Sequence, residues 1–313
     1  MTWDGSDLNR PAPAPLDVVA LGGGHGLSAS LSALRRVVRN VTAVVTVSDN
    51  GGSSGRLRRE FGVLPPGDLR QALAALCGDD EWGRTWARVL QHRFAGDGPM
   101  QQHAVGNLLI VALWELLGDH VDGLAWVGRL LGAQGQVLPM SVAPVDIAAT
   151  VRGVDPGAPD ALSTVRGQVE VASTPGHVVA IALEPAEPPA CPEALAAVRS
   201  ADWVVLGPGS WFTSVIPHLL VPELRDALVS GGARRALVLN LAPQSGETDG
   251  YSAQEHLEAI GAYAGDLKLD VVLADESTVT DVAALRACTA SFGAELVVAD
   301  VAADDGTPRH DPV

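Results

Sequence analysis

Three glycine-rich stretches hold the residues best suited to chemistry, and the chemistry they suit is the gripping of an anion. Gly22, Gly23, Gly24, His25 and Gly26 follow the apolar run Asp17–Leu21. Glycines there let successive N–H groups and a helix N-terminus face a phosphate. The pattern is G-G-G-x-G rather than G-x-G-x-x-G, since position 27 is Leu, and a tight turn is its plain alternative. The second stretch runs Ser48-Asp49-Asn50-Gly51-Gly52-Ser53-Ser54-Gly55. Its glycines permit a backbone nest, Ser53 and Ser54 offer hydroxyls, and Arg56 offers a fork of donors, although a mobile surface loop would look similar. In the third, Gly207, Pro208, Gly209 and Ser210 lead to Thr213 and Ser214 at an expected helix start, where Thr213 could equally be an N-cap.

Two carboxylates join these loops. With phosphate oxygens, Asp49 and Asp68 could hold a Mg²⁺ ion that keeps most of its waters; Asp68 could instead cap a helix. His103 and Asn107 flank Gly106 ahead of an apolar helix. The eight histidines form no H-x-x-x-H or H-E-x-x-H pair and there is no G-x-S-x-G elbow, so zinc chemistry and hydrolysis are disfavoured. No catalytic residue is assigned, because no general base stands beside the anion-binding loops.

Loops of this kind must be held by strands. Asp17–Leu21, Val41–Val47, Trp203–Leu206, Ala236–Leu241, Val271–Ala274 and Leu296–Val298 read as strands that alternate with helical segments, which predicts a Rossmann-like, doubly wound α/β fold with a mainly parallel sheet. In such a sheet ligands sit beyond the C-terminal strand ends, where the strand order reverses. Residues 16–313 are expected to form one domain, interrupted by a helical excursion at about 81–131 and a β-rich one at about 137–183. Within the latter, Val137–Pro139, Ile147–Val151, Gln168–Val171 and Val178–Leu183 read as strands. Asp68 is expected to be the N-cap of a helix over Asp68–Cys77. The Pro-rich residues 1–15 read as a disordered tail.

Composition limits the partners. The 313 residues include 37 acidic and 21 basic side chains, a net charge of −16, which repels nucleic acid and anionic membranes. Residues 1–70 nevertheless hold eight Arg against six acids, so a small anion should be drawn to this third of the chain. Three unevenly spaced cysteines signal neither a disulfide framework nor a metal site. With no signal-peptide core and no apolar run near ~18 residues, the expectation is a cytoplasmic protein without membrane insertion.

Six motifs in order carry a resemblance: G-G-G-x-G-L-S, V-T-V-S-D-N-G-G-S-S-G-R-L-R, L-P-P-G-D-L-R, H-x-x-G-N-L-L, G-P-G-S-W-F-T-S-V-I-P and Q-S-G-E-T-D-G-Y. Together they resemble the gluconeogenesis-factor (YvcK-like) family, which is related to the CofD-like phospholactate transferases. The resemblance implies binding of a uridine nucleotide sugar such as UDP-N-acetylglucosamine and a role in cell shape and envelope synthesis during gluconeogenic growth. A homodimer and a cell-envelope regulatory partner are compatible with it. It also implies a divalent ion on aspartates placed like Asp49 and Asp68. The family usually has Asp at Asn50 and Gly at Gln102, and its ending is matched by Arg309-His310-Asp311.

The sequence is therefore read as a nucleotide-sugar-binding regulator, in which Gly22–Gly26 and Ser48–Arg56 cradle the pyrophosphate and Gly207–Ser214 closes the opposite wall. Asn240 would lie near the floor, and Arg309 would reach the pyrophosphate. The alternative is a metal-dependent transferase moving a phospho-group from a nucleotide diphosphate. An NAD-dependent oxidoreductase lacks the acidic residue expected ~20 residues after the glycine turn.

Overall fold

Strands Ala14–Gly22 (β1) and Val38–Val45 (β2) bury nearly every residue of their C-terminal halves, as expected of parallel strands covered on both faces. Between them Gly24–Val37 (α1) sets Leu27 and Leu31 against the sheet. The computed structural model describes residues 14–244 and 246–312. Of the expected tail, residues 1–13 lie outside the described residues, while Ala14 and Pro15 already belong to β1.

Gly52–Phe61 (α2), Gly67–Ala75 (α3), Glu81–Gln91 (α4), Val105–Leu117 (α5) and His120–Leu131 (α6) follow. Helix α2 begins at Gly52, so Gly52–Gly55, read from the sequence as part of the second loop, form its first turn. The cap of α3 is Pro66 and makes no side-chain bond. Asp68 is thus not the N-cap; it lies inside the first turn and its carboxyl is turned inward.

Gln136–Pro139 (β3) pairs with β2 as an edge of the main sheet, and so does not belong to the β-rich excursion. That excursion is a three-stranded antiparallel sheet ordered β5-β4-β6, made by Asp146–Arg152 (β4), Leu162–Arg166 (β5) and His177–Glu184 (β6). The expected strand Gln168–Val171 is instead a short helix, Gln168–Ala172 (α7). Its two-residue alternation suggested a strand, but Gly167 turns the chain at φ 98° and the Asn50 side chain accepts from the Val169 N–H. Val171 then points into the core.

The main sheet resumes through Pro192–Ser200 (α8), Trp203–Leu206 (β7), Pro222–Ser230 (α9), Arg234–Val238 (β8), Ala253–Tyr263 (α10), Val271–Asp275 (β9), Val282–Ser291 (α11) and Glu295–Ala299 (β10). Its order is β10-β9-β8-β7-β1-β2-β3 with every pairing parallel. The fold is a Rossmann-like α/β fold. Its strand order reverses between β1 and β7, so the loops after these two strands open side by side. Among the described residues no helix is long and apolar enough to cross a membrane.

Candidate functional site

The first and third loops meet at the switch point. Gly207 N–H donates to Leu21 O (3.2 Å) as the third loop leaves β7, and Ser30 on α1 donates its hydroxyl to Gly207 O (3.0 Å). A Cβ on Gly26 would collide with the Pro208 carbonyl oxygen and lie 2.6 Å from Gly209 Cα. Only glycine permits this approach. Asn240, just past β8, clamps Gly209 from the other side: its Oδ1 accepts from Gly209 N–H (2.8 Å) and its Nδ2 donates to Gly209 O (2.9 Å).

Beyond these loops lies a chamber of about 590 Å³. His25, Gly26, Pro208, Gly209, Asn240 and Arg309 line it, all six named from the sequence as ligand-binding residues. Residues not singled out from the sequence also line it. Ser28 and Ser32 lie on the face of α1, Leu241–Gln244 follow β8, and residues 303–312 form a wall closed by the Ala302–His310 bridge. The segment after β8 was legible in principle, because it leaves a strand on the ligand-binding edge. The last wall has no periodicity or glycine signature to find. Apolar Leu241, Ala242, Pro243 and Pro308 mixed with these polar groups suit a flat heterocycle carrying hydroxyls. The Arg309 guanidinium is partnered by Asp305 (2.5 Å) and Thr307 Oγ1 (2.9 Å), and it lies at the exposed rim.

The remaining loop residues lie outside the chamber lining. Asp49 accepts from Gly51 N–H (2.8 Å), and Gly51 and Gly52 stand at the start of α2. Asn50 donates to Glu170 (2.7 Å) and accepts from Val169 N–H (3.0 Å), tying this loop to α7. A carboxylate at 50 could not donate to Glu170, so the amide fits this contact. Arg56 is not an open fork for phosphate: its guanidinium donates to Pro99 O (3.2 Å) and Gln101 O (2.5 Å). Ser53 Oγ instead gathers His103 Nδ1 (3.1 Å), Asn107 Nδ2 (3.0 Å) and Ala104 N–H (3.3 Å) in a buried network. Ser54 is buried beside it. Burial and then Arg56 hold His103 below the usual histidine range, which keeps it neutral.

Arg70, the last residue of L-P-P-G-D-L-R, was missed from the sequence. Its Nε donates to Asn107 Oδ1 (2.8 Å), while its buried Nη1 has no partner. Burial, then Arg93, lowers it to about 10.

Gln102 adopts φ 60°, the one left-handed non-glycine among the described residues. Such a conformation costs a residue that carries a Cβ about 1–2 kcal/mol, partly offset by the greater freedom of an unfolded glycine. Gln102→Gly should therefore stabilise the protein by about 0.5–1 kcal/mol, read as a higher urea midpoint.

Asp68 is buried outside the lining of the chamber. Its carboxyl lies against the turn into α1: a Cβ on Gly23 would be 2.6 Å from Asp68 Oδ2, 2.6 Å from Thr46 Cγ2 and 3.2 Å from Ser214 Oγ. Asp68 of α3, Thr46 just past β2 and Ser214 of the third loop thus converge on Gly23. Oδ2 is buried without a hydrogen-bond partner. Burial, then the Asp49 charge, raises Asp68 to about 7, against the opposing pull of the Gly24 amide and Arg70. The donor set is hard oxygen, and an unpartnered carboxylate oxygen beside a second carboxylate fits a Mg²⁺ ion.

The third loop is fixed by a residue the sequence reading passed over. Glu247 of Q-S-G-E-T-D-G-Y is buried and accepts from the Ser210 hydroxyl, the Thr213 hydroxyl (3.0 Å) and Phe212 N–H (3.1 Å). The cap of the π turn Trp211–Val215 is Ser210, not Thr213. A carboxylate of the protein itself thus stands where an anionic ligand would meet this turn. Burial raises Glu247 above the usual glutamate range, against the pull of its Ser210 and Thr213 bonds. The signal available was an acid inside a glycine-rich motif.

A doubly wound parallel sheet with glycine loops and an open chamber at its switch point defines a Rossmann-like α/β protein with a ligand-sized cleft. The chain belongs to the CofD family: the model of that family, described as 2-phospho-L-lactate transferase CofD, matches residues 18–307. It is 51% identical over 298 residues to a Mycobacterium tuberculosis protein named "Putative gluconeogenesis factor", covering 94% of this chain and 86% of the relative. It is 36% identical over 284 residues to the gluconeogenesis factor of Halalkalibacterium halodurans, covering 91% and 84%. A crystal structure of a UPF0052-family protein from Bacillus halodurans superposes with a TM-score of 0.84 at 32% identity, covering 96% of this chain and 97% of that one.

Proposed function

We propose that the protein is a cytoplasmic nucleotide-sugar-binding regulator, with a UDP-sugar such as UDP-N-acetylglucosamine as its ligand and cell shape and envelope synthesis on gluconeogenic carbon sources as its output. The observation carrying this reading is the chamber of about 590 Å³ at the switch point, bounded by the first loop, the third loop and the Arg309 wall. In this reading the nucleoside lies between Leu241–Pro243 and Pro308, and the diphosphate runs along Gly24–Gly26 toward Arg309. The relatives' shared name, gluconeogenesis factor, supports the metabolic setting. Binding without turnover is expected, since the buried His103 and Glu247 are engaged in structural bonds. Isothermal calorimetry with UDP-N-acetylglucosamine should give saturable heat at micromolar to millimolar ligand; an absence of heat at millimolar ligand overturns the reading.

One observation favours a second reading, a CofD-like transfer of a phospho-group from a nucleotide diphosphate. Asp68 leaves a buried carboxylate oxygen unsatisfied next to Asp49. A divalent ion held there would neutralise charge on the leaving nucleoside monophosphate. If Asp68→Asn binds ligand as the wild type does but loses biological activity, transfer is favoured over sensing.

A further inference from the structure

A nucleotide-sugar diphosphate is an anion, and the chamber that would receive it holds few groups able to meet that charge. Of the described residues that line it, only Arg309, His25 and His310 can be positive. Arg309 is already engaged: Asp305, which also lines the chamber, pairs with its guanidinium, and Thr307 Oγ1 accepts from its Nε. Hydrogen bonds from Thr307, then from Arg309, hold Asp305 below the usual carboxylate range, so the pair adds no net charge to the wall. His310 is held neutral, because burial keeps it below the usual histidine range against the pull of the Leu239 carbonyl and Asp275.

His25 is different. It stands on the first turn of α1, lines the chamber, is exposed, and has no hydrogen bond or ion pair to any described residue. The close approach of Gly26 to Pro208 and Gly209 fixes this turn against the third loop. The charged groups that share the chamber with His25 are Asp305, Arg309 and His310, all from the far wall. The third loop and Leu241–Gln244 add no charge to the lining. Glu247 lies behind Ser210, and Asp68 lies behind Gly23.

Histidine changes charge between about pH 5 and 8, and an anion beside it favours the charged form. We propose that the His25 imidazolium is the cation that meets the ligand's diphosphate, so that nucleotide-sugar binding takes up a proton and strengthens as pH falls. The proton comes from solvent to an imidazole nitrogen and returns when the ligand leaves. This rests on the nucleotide-sugar reading and adds a regulation to it: at a fixed ligand concentration, occupancy rises with acidity.

Calorimetry on the full chain with UDP-N-acetylglucosamine at about pH 6 and about pH 8, in two buffers of different ionisation heat, tests this. The ligand has no group that titrates in this range, so a change of affinity belongs to the protein. The wild type should bind at least about fivefold tighter at the lower pH and take up a proton. His25→Gln should bind weakly at both values with no uptake, whereas His25→Arg should bind at both as tightly as the wild type does at the lower one. Asp68, raised to about 7, titrates in the same range. A pH dependence that survives in His25→Gln would assign the proton to Asp68 and overturn the proposal, as would a wild-type affinity that does not change with pH. No heat from any of the three proteins at millimolar ligand overturns the nucleotide-sugar reading itself, and this proposal with it.

Discussion

Asp68→Asn is expected to raise the melting temperature at pH 8 by several degrees more than it does at pH 4.5. The folded protein holds the Asp68 proton up to about pH 7, whereas the unfolded chain releases it near the ordinary value of 3.8. Between those values the folded state binds more protons, so wild-type stability falls as pH rises, and the loss is complete above about pH 7. The interval is 7 − 3.8 = 3.2 pH units, which at about 1.36 kcal/mol per unit bounds the effect near 4 kcal/mol. At roughly 2 °C per kcal/mol for a chain of this size, that is up to about 8 °C. Asparagine has the same shape and no proton to lose. Calorimetric scans from pH 4 to pH 8 measure the difference directly, and a gap between the two proteins that does not change with pH would refute the assignment. If a divalent ion occupies the carboxylates, added Mg²⁺ should stabilise the wild type at pH 8 and leave Asp68→Asn unmoved.

Glu247→Ala should act in the opposite direction and nearly as strongly. Removing the carboxylate leaves the Ser210 and Thr213 hydroxyls and the Phe212 N–H facing a void. Hydrogen bonds to a charged group are worth about 1.5–3 kcal/mol each, and stranded donors add their desolvation cost. The relief of unburying a carboxylate whose pKa is raised offsets part of this. A net loss of about 3 kcal/mol is expected, seen as a lower urea midpoint. Glu247→Gln should lose less, because its amide oxygen still accepts. Ligand affinity should fall with Glu247→Ala even below its melting temperature, since Gly209 and Pro208 line the chamber from the loop that Glu247 steadies. A variant of wild-type stability would show that the turn holds itself.

The strands that feed the glycine loops were legible because burial on both faces writes itself as β-branched and mostly apolar residues, as in Val41–Val47. Helices α4 to α6 were legible from helical spacing. Gln168–Val171 misled because alternation is the same over four residues whether Val171 enters a core from a strand or from one turn of helix. Asp68 misled for a different reason: position and residue type suit a cap, and only the approach of Gly23 from elsewhere in the chain decides where its carboxyl goes. Arg56 looked free because the carbonyls it meets, those of Pro99 and Gln101, lie more than forty residues away. Contacts between distant segments set the charge and availability of these groups, and no local pattern records them.

The far wall of the chamber has a bearing on how the protein comes into being. Residues 303–312 are held by Arg36 Nη1 donating to Pro312 O (2.8 Å) and by Asp311 N–H donating to Val301 O (2.9 Å). During synthesis both glycine loops leave the ribosome well before this segment does. The chamber therefore has no far wall until residues 303–312 dock on α1, and a protease cut that frees that stretch would open it while leaving the sheet intact.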